Sequence, residues 1–319
     1  MTRLLLNRLV RLVATLLAVS FLTFLMVNLL PGDPVNSILP PESQTPERVA
    51  QVREDLGLDD PLPKQYIDWL SGVVQFDFGQ SYRTNQPVRE ALLQRLPVTV
   101  ELAILAIGIA VLFGVPLGVI SAYKQGQRLD TVISAVVQFM LSVPAFVAAV
   151  FFIYVFAVEF QVLPATGWTR ISNDLWGNLK TAILPSVALS LSQLAIYTRL
   201  VRADMITTLQ ENFVLSARAK GLTNRFILFR HALRPSSLSL ITVIGLNIGV
   251  LLGGTVVIEK IFALPGIGGL LIDSIGQRDY LVVQGVVLLI ATSYVVINTI
   301  VDLVYAMVDP RIRTSGKGS

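Results

Sequence analysis

The chain lacks cysteine altogether and contains a single histidine, His231. The absence of cysteine excludes disulfides and thiolate metal sites. Charged residues are also scarce, at 14% of the chain against about 25% in soluble domains, while hydrophobic residues reach 53%. No paired carboxylates, nucleophilic triad or metal cluster can be assembled from so few groups. The composition therefore argues against an enzyme, and we assign no catalytic, cofactor or metal residue.

Charge is missing entirely from six intervals of 18 to 28 residues. Each is long enough for a helix that crosses a bilayer core of roughly 30 Å, and an isolated helix satisfies its own backbone in lipid. We therefore predict an all-α integral membrane protein with six transmembrane helices. The fourth interval is the most polar, which indicates a helix that faces protein or a cavity. The six intervals are Leu12–Gly32, Leu102–Tyr123, Thr131–Val158, Thr181–Thr198, Pro235–Ile258 and Tyr280–Val301.

Lysine and arginine are distributed unevenly about these intervals. If the N-terminus is cytoplasmic, 15 of the 25 cations lie on the cytoplasmic side, and the two short outer loops hold only four. The positive-inside rule therefore predicts that both termini are cytoplasmic. We expect the first interval to be an uncleaved signal-anchor in a bacterial or archaeal plasma membrane. The net charge of +4 reflects these anchors, so nucleic acid is not an expected partner.

The chain divides at the end of its one large extramembrane segment, which lies outside. Residues 1–95 combine the first span with this loop, and residues 96–319 carry five spans with short connections. Within the loop, Thr45 and Pro46 indicate a helix start, and a second short helix is expected over Lys64–Val74. The loop is too poor in apolar residues for a core of its own, so we expect it to lie against the membrane and the other helices.

The cytoplasmic loop over residues 199–236 contains the densest cationic run of the chain. Its composition predicts two short helices, Glu211–Lys220 and Thr223–Leu233, with Gly221 as the helix stop and Thr223 as a cap. In the second helix, Phe226, Phe229 and Leu233 would share a face. Such a protrusion can dock in a groove of another protein. The alternative is a basic loop that only sets topology and contacts anionic lipid.

Sequence blocks spread along the chain resemble the dipeptide/oligopeptide branch of the binding-protein-dependent ABC importer permeases. In the basic loop these are ARAKGL at 217–222 and HALR at 231–234, with Gly221 in the family's place but Leu215 where the general family has an acid. Pro235 stands one residue late, and Phe76 replaces a glycine. The other blocks are LLPGDP at 29–34, LGLDDPL at 56–62, FDFGQSY at 76–82, RLPVTVEL at 95–102, LGGTVVIEKIF at 252–262, PGIGGL at 265–270, RDY at 278–280 and NTIVDLVYAMVDPRIR at 298–313.

The resemblance implies a type I ABC importer permease fold with a MetI-like core and no ATPase site of its own. The sequence agrees in lacking a GxxxxGK[S/T] phosphate loop. The implied partners are two cytosolic ABC ATPase subunits that carry ATP and Mg, a second and different permease chain, and an extracytoplasmic binding protein. The expected function is peptide import by alternating access. The residues assigned to ATPase coupling are Glu211, Ala217, Arg218, Lys220 and Gly221.

Uncharged polar residues at membrane depth either bond neighbouring helices or line the pathway. The candidates for pathway lining are Gln138, Tyr154, Gln193, Asn247 and Gln284. The solute itself stays open among peptides, a nickel chelate, glutathione and an oligosaccharide. Two other functions are left as alternatives. An ion-coupled secondary transporter would usually place an ionisable residue at mid-span, and a membrane scaffold would not need the small-residue docking loop.

Overall fold

The computed structural model describes residues 2–29, 35–39, 42 and 44–308. Regular structure in these residues is helical, apart from one isolated bridge between Gln80 and Pro87. The sequence blocks at 29–34 and 298–313 lie partly outside the described residues. The helices are α1 Thr2–Asn28, α2 Val35–Ile38, α3 Pro46–Asp55, α4 Leu62–Val74, α5 Val88–Tyr123, α6 Arg128–Ser142, α7 Ala145–Phe152, α8 Leu175–Thr208, α9 Asn212–Ala219, α10 Asn224–Phe226, α11 Leu233–Ile261, α12 Ile267–Gln277 and α13 Tyr280–Val308.

Residues 1–99 and 265–296 form one compact unit, and residues 100–264 and 297–319 form a second. In the first unit, α4 packs on α1 through aromatic side chains. The Tyr66 ring lies 5.4 Å from the Phe24 ring, and the Tyr66 hydroxyl is 2.9 Å from Ser20 Oγ. The two short helices of the loop are present as predicted, with Thr45 accepting a hydrogen bond from Arg48 N at the start of α3. The prediction that this loop lies against the other helices is confirmed for α4, which packs on α1, and its contact with the membrane stays a prediction.

The core of the first unit brings the start of α5 against α12 and α13. Val88, Leu92 and Val286 are buried together with Ile267 and Val282. The backbones approach closely at Gly285, where an added Cβ would lie 2.8 Å from Val88 Cγ1. A separate hydrogen bond joins α5 and α12. The Ile267 N–H, at the first turn of α12, donates to the Thr99 hydroxyl oxygen at 2.9 Å.

In the second unit, α5 crosses α8 at two glycines four residues apart. A Cβ at Gly114 would lie 3.0 Å from Leu194 O, and one at Gly118 would lie 2.8 Å from Thr198 O. Thr198 Oγ1 also bonds to Gly114 O at 3.2 Å. Small residues with this spacing let two membrane helices pack backbone to backbone. In lipid no hydrophobic effect drives helices together, so close van der Waals packing of this kind stabilises their association.

Within the part of the chain that the structure describes, three continuous helices are long and apolar enough to cross a membrane, namely α5, α8 and residues Tyr280–Val301 of α13. The number rises to five if two bent pairs each count as one span, and the apolar part of α1, Leu12–Asn28, is a shorter helix. Within its apolar window α8 is 56% buried, against 33% for α5, and Ser186, Ser190 and Gln193 are among its buried residues. The prediction that this polar span faces protein is thus confirmed.

The third predicted span is wrong as a single helix. Residues Arg128–Ser142 and Ala145–Glu159 form two helical segments bent by 98° relative to each other. The cause is Pro144, because proline removes a backbone donor and forces the preceding residue out of the helical region. Val143 accordingly takes the extended angles φ −93° and ψ 116°. Beyond the bend, α7 continues as a π-helix over Ile153–Glu159.

Candidate functional site: a basic hairpin and an Asp–Arg ion pair

The basic loop folds as a hairpin, here defined as residues 211–232. Its first limb, α9, ends where Gly221 takes φ +76°, a conformation that glycine adopts without steric cost. Leu222 N donates to Ala217 O and Gly221 N donates to Arg218 O, the paired bonds of a Schellman C-cap. The predicted helix stop at Gly221 is therefore confirmed.

The second limb departs from the prediction. The α-helical turn α10 passes into a π-helix over Ile227–Ala232, which runs directly into α11, so no separate helix Thr223–Leu233 exists. Thr223 has N-cap backbone angles, but its side chain makes no capping hydrogen bond. Because π geometry shifts the register to i→i+5, spacing of three and four no longer defines one face. Ile227 and Ala232 face inward, whereas Phe226 and Phe229 are 45% and 52% exposed.

The interior of the hairpin is small and apolar. Val214 and Ala217 of α9 pack on Ile227 of the second limb, with Leu209 alongside. Ala217 is only 6% exposed, so this predicted coupling residue lies inside the hairpin and not on its surface. Its small size lets the two limbs approach.

The outer surface of the hairpin combines apolar and cationic side chains. The predicted coupling residues Glu211, Arg218, Lys220 and Gly221 are all exposed. Sequence reasoning missed the exposed apolar residues of the first limb, of which Phe213 and Leu215 are the largest, at 45% and 53% exposed. The sequence feature that could have revealed them is the presence of two large apolar residues in a basic segment. Together with Phe226 and Phe229 they make up the surface on which docking is predicted, here called the docking surface. Such a surface suits an apolar groove with an acidic rim.

Polar and apolar contacts attach the hairpin to three helices of its unit. Asn224 Nδ2 donates to the hydroxyl of Tyr123 at the end of α5, at 3.1 Å. Leu228 and Ala232 belong to the same buried cluster as Met205 of α8. Just past the hairpin, Ser236 Oγ in α11 donates to Thr208 Oγ1 at the end of α8, at 2.9 Å.

An ion pair between a buried carboxylate and a partly exposed guanidinium lies in the same unit, and the sequence did not reveal it. Arg202 of α8 donates to both carboxylate oxygens of Asp130, from Nε at 2.7 Å and from a terminal nitrogen at 2.9 Å. Ser121 Oγ in α5 and the Gly126 N–H in the intervening turn also donate to Asp130, at 2.6 and 2.9 Å. Asp130 is 5% exposed. Four hydrogen bonds therefore join α5, α6 and α8 at one carboxylate.

Two of the five predicted pathway residues meet each other. Asn247 Nδ2 of α11 donates to Gln193 Oε1 of α8 at 2.7 Å, a bond between neighbouring helices in the second unit. Of the other three, Gln138 and Tyr154 are exposed on the bent span, and Gln284 belongs to the first unit. Gln284 borders a cavity of about 700 Å³ there, with Trp69 among the lining residues. A lining role for the five residues stays a prediction.

In the first unit, the structure joins two sequence blocks that are almost 200 residues apart. Ser81 Oγ of the FDFGQSY block donates to Asp279 of the RDY block, and the Tyr82 N–H donates to the same carboxylate at 3.3 Å. Burial, with the charge of Asp279 second, raises the pKa of Tyr82 to about 12, so its hydroxyl keeps its proton. This contact ties the end of the loop between α1 and α5 to the start of α13.

Comparison with known proteins gives the family. Residues 114–314 match the family described as binding-protein-dependent transport system inner membrane component, and residues 1–103 match the N-terminal membrane component of such systems. A putative peptide transport system permease protein of Brucella abortus (strain 2308) is 38% identical over 313 residues, which cover 98% of this chain and 99% of the relative. The dipeptide transport system permease protein of Escherichia coli (strain K12) is 36% identical over 336 residues, covering 98% and 99%.

A third relative is the glutathione transport system permease protein of Shigella flexneri serotype 5b (strain 8401), 38% identical over 307 residues that cover 96% of this chain and 97% of the relative. Among solved structures, the MetNI methionine ABC transporter in inward-facing conformations aligns with a TM-score of 0.57 over 68% of this chain and 96% of that chain. At 18% identity this match concerns the fold alone, and it agrees with the predicted type I importer permease fold. The chain belongs to the family of binding-protein-dependent transport system inner membrane components.

Proposed function

We propose that this chain is the permease subunit of an ATP-driven importer of peptides. It forms the translocation pathway together with a second permease, which is a different chain. Two cytosolic ATPase subunits, which hold the ATP and Mg, dock on the hairpin, and an extracytoplasmic binding protein delivers the solute. Family membership over most of the chain, and relatives named as peptide and dipeptide permeases, support this proposal.

The observation that carries the ATPase-docking part is the surface of the hairpin. Phe213, Leu215, Phe226 and Phe229 are each between 45% and 53% exposed, although the limbs beneath them are held by a packed apolar interior. Large apolar side chains beside Arg218 are suited to burial against a protein partner, where aromatic residues and arginine are enriched. A loop that only contacts anionic lipid needs cations, but it does not need a pre-shaped interior.

The orientation follows from the same assignment. With the hairpin in the cytoplasm, the turn between α5 and α6 lies on that side too, and so do both termini. The bias of lysine and arginine toward these segments supports this arrangement. The chain is then a multi-pass protein of the bacterial or archaeal inner membrane, and the outer loop with its Ser81–Asp279 contact faces the binding protein.

The solute is a peptide in this proposal because two of the relatives described above are named for peptides. The same machinery with glutathione as solute is the second candidate, favoured by the relative named for glutathione transport. A nickel chelate or an oligosaccharide would use the same subunits. An ion-coupled secondary transporter receives no support from the relatives.

Co-purification from the native membrane tests the docking assignment. Gly221→Glu places a bulky acid on the docking bend, where an added Cβ meets no atom of this chain within 4 Å. The matched control is Gly167→Glu, because Gly167 also has a positive φ, of +97°, and open space around its Cα. Both changes impose the same type of backbone strain, so only their positions differ.

We expect the wild type and Gly167→Glu to retain two P-loop ATPases and a sister permease, and Gly221→Glu to lose the ATPases. Uptake of radiolabelled dialanine into vesicles that contain the complex then tests the solute, with labelled glutathione as the competing probe. If all three proteins purify without ATPases, the proposed function is wrong. If both variants retain the ATPases equally, the hairpin does not dock them.

A further inference from the structure

We propose that the Asp130–Arg202 ion pair is a clamp that makes α6 move with the hairpin when the ATPase subunits change state. The pair positions helices and contacts no solute. The inference rests on the proposed function, and it goes beyond it by naming the connection that carries the movement from the docking surface to the bent third span.

The first step of this connection is the attachment of the hairpin to α8 and α5. Leu228 and Ala232 of the second limb share a buried cluster with Val201 and Met205, the residues on either side of Arg202 along α8. Asn224 is bonded to Tyr123 at the end of α5. A displacement of the hairpin therefore acts on the ends of both helices.

The second step is the crossing of α5 and α8. At Gly118 an added Cβ would lie 2.8 Å from both Thr198 O and Val201 Cβ, so the two backbones are in direct contact. Packed interfaces of this kind resist gradual deformation, because they have no space in which to deform. In this proposal α8 and the part of α5 in the second unit therefore move together with the hairpin.

The third step is α6, which is held differently. Ile133 and Val137 of α6 pack on Ala195 of α8 through apolar contacts, which are not directional and permit sliding. The directional contact is the fork of Arg202 on Asp130, which fixes the first turn of α6 at two points. Ser121 and Gly126 tie the same carboxylate to α5 and to the intervening turn.

The clamp is positioned so that it can transmit movement to the bent third span. Asp130 lies at the start of α6, and α6 ends at the Pro144 bend, where the chain turns by 98° into α7. If the first turn of α6 follows α8, the bend follows too. Replacing a buried ion pair by apolar residues is often neutral or stabilising, so such a pair is poor evidence of a stability role. A two-point directional contact is, however, well suited to fixing register between helices.

The test uses the complete complex with its ATPases and sister permease. Arg202→Lys keeps the positive charge beside Asp130 but removes the two-point fork. The control is Arg199→Lys, because Arg199 lies about one turn earlier on α8 and is exposed. Ser121→Ala is a second, milder variant that removes the α5 donor to the carboxylate oxygen bonded by Arg202 Nε, so it weakens the positioning of the fork and tests the clamp even if Arg202→Lys does not assemble.

Movement is read as the distance between two spin labels, one on Ser216→Cys in the hairpin and one on Thr131→Cys in α6. The chain has no native cysteine, so the two labels are specific. With the clamp intact, we expect trapping by ATP and vanadate to leave this distance unchanged. In Arg202→Lys we expect a change of about 2 Å or more, the scale of helix shifts in switching proteins. Ser121→Ala should give a smaller change in the same direction.

A functional measurement accompanies the distance. We expect ATP hydrolysed per dialanine imported to rise about tenfold in Arg202→Lys, within the usual range for coupling between two sites. The amount of bound ATPase should stay equal to that in the Arg199→Lys control. If Arg202→Lys and Arg199→Lys give the same distance response, the clamp is refuted although ATPase docking stands. Loss of the ATPases from the wild-type complex refutes the proposed function instead, and the clamp with it.

Discussion

The crossing of α5 and α8 allows a graded prediction, because α5 carries three glycines in different surroundings. An added Cβ at Gly118 would meet a backbone oxygen and a side-chain carbon, each at 2.8 Å. At Gly114 the nearest atom would be a backbone oxygen at 3.0 Å, and at Gly108 nothing lies within 4 Å. The three alanine variants therefore add the same methyl group to one helix, with decreasing steric conflict.

The expected magnitudes follow from these distances. A contact of 2.8 Å with a backbone carbonyl cannot be relieved by a rotamer change, so the helices must separate. Overpacking of this kind costs about 1–3 kcal/mol, and we place Gly118→Ala near the upper end and Gly114→Ala near the lower end. Gly108→Ala creates no conflict, and it gains up to about 1 kcal/mol because alanine is the better helix former.

The three variants are compared by thermal unfolding in detergent. The measured quantity is the fraction of protein that stays monodisperse at each temperature. The melting temperatures should rank Gly108→Ala at or above the wild type, then Gly114→Ala, then Gly118→Ala lowest. Gly108→Ala is the matched control, since it has the same chemistry on the same helix. If Gly118→Ala melts at the same temperature as Gly108→Ala, the backbone contact between α5 and α8 does not exist as described.

Two further changes test the polar contacts. Gln193→Leu and Asn247→Leu should each lower thermal stability by about 1 kcal/mol because the remaining amide loses its partner, and the double variant should recover part of this loss. A double-mutant cycle with additive effects would contradict the 2.7 Å bond between them. Asp279→Ala should free the Ser81 loop by removing its buried acceptor, at a cost of about 1–3 kcal/mol. Trypsin should then cut after the exposed Arg83 faster than in the wild type, and an unchanged rate would argue against the contact.

Several features were predictable because they depend on local properties. Charge-free intervals revealed the membrane class, since a helix in lipid must be apolar over its own length. Gly221 marked the helix stop because a left-handed residue after a helix is usually glycine. The polar residues of the fourth span indicated that it faces protein. Each inference needed only the residues of one segment, which is why each agrees with the structure.

Errors arose where the backbone geometry itself changes. The spacing argument for Phe226, Phe229 and Leu233 assumed an α-helix, and the π-helix over Ile227–Ala232 changed the register. The third span appeared continuous because its composition is uniformly apolar. Pro144 marks the position of the bend, but the size of the bend depends on how the segments on both sides pack.

The sequence by itself determined that this protein contains apolar helices able to cross a membrane and where its basic hairpin turns, because hydropathy and turn preference are properties of short segments. Only the tertiary structure decided which distant residues meet. Asp130 and Arg202 are 72 positions apart and Ser81 and Asp279 are 198 apart, and each pair gives no local signal. Their contacts exist because helix packing brings them together, and packing depends on all the interfaces at once.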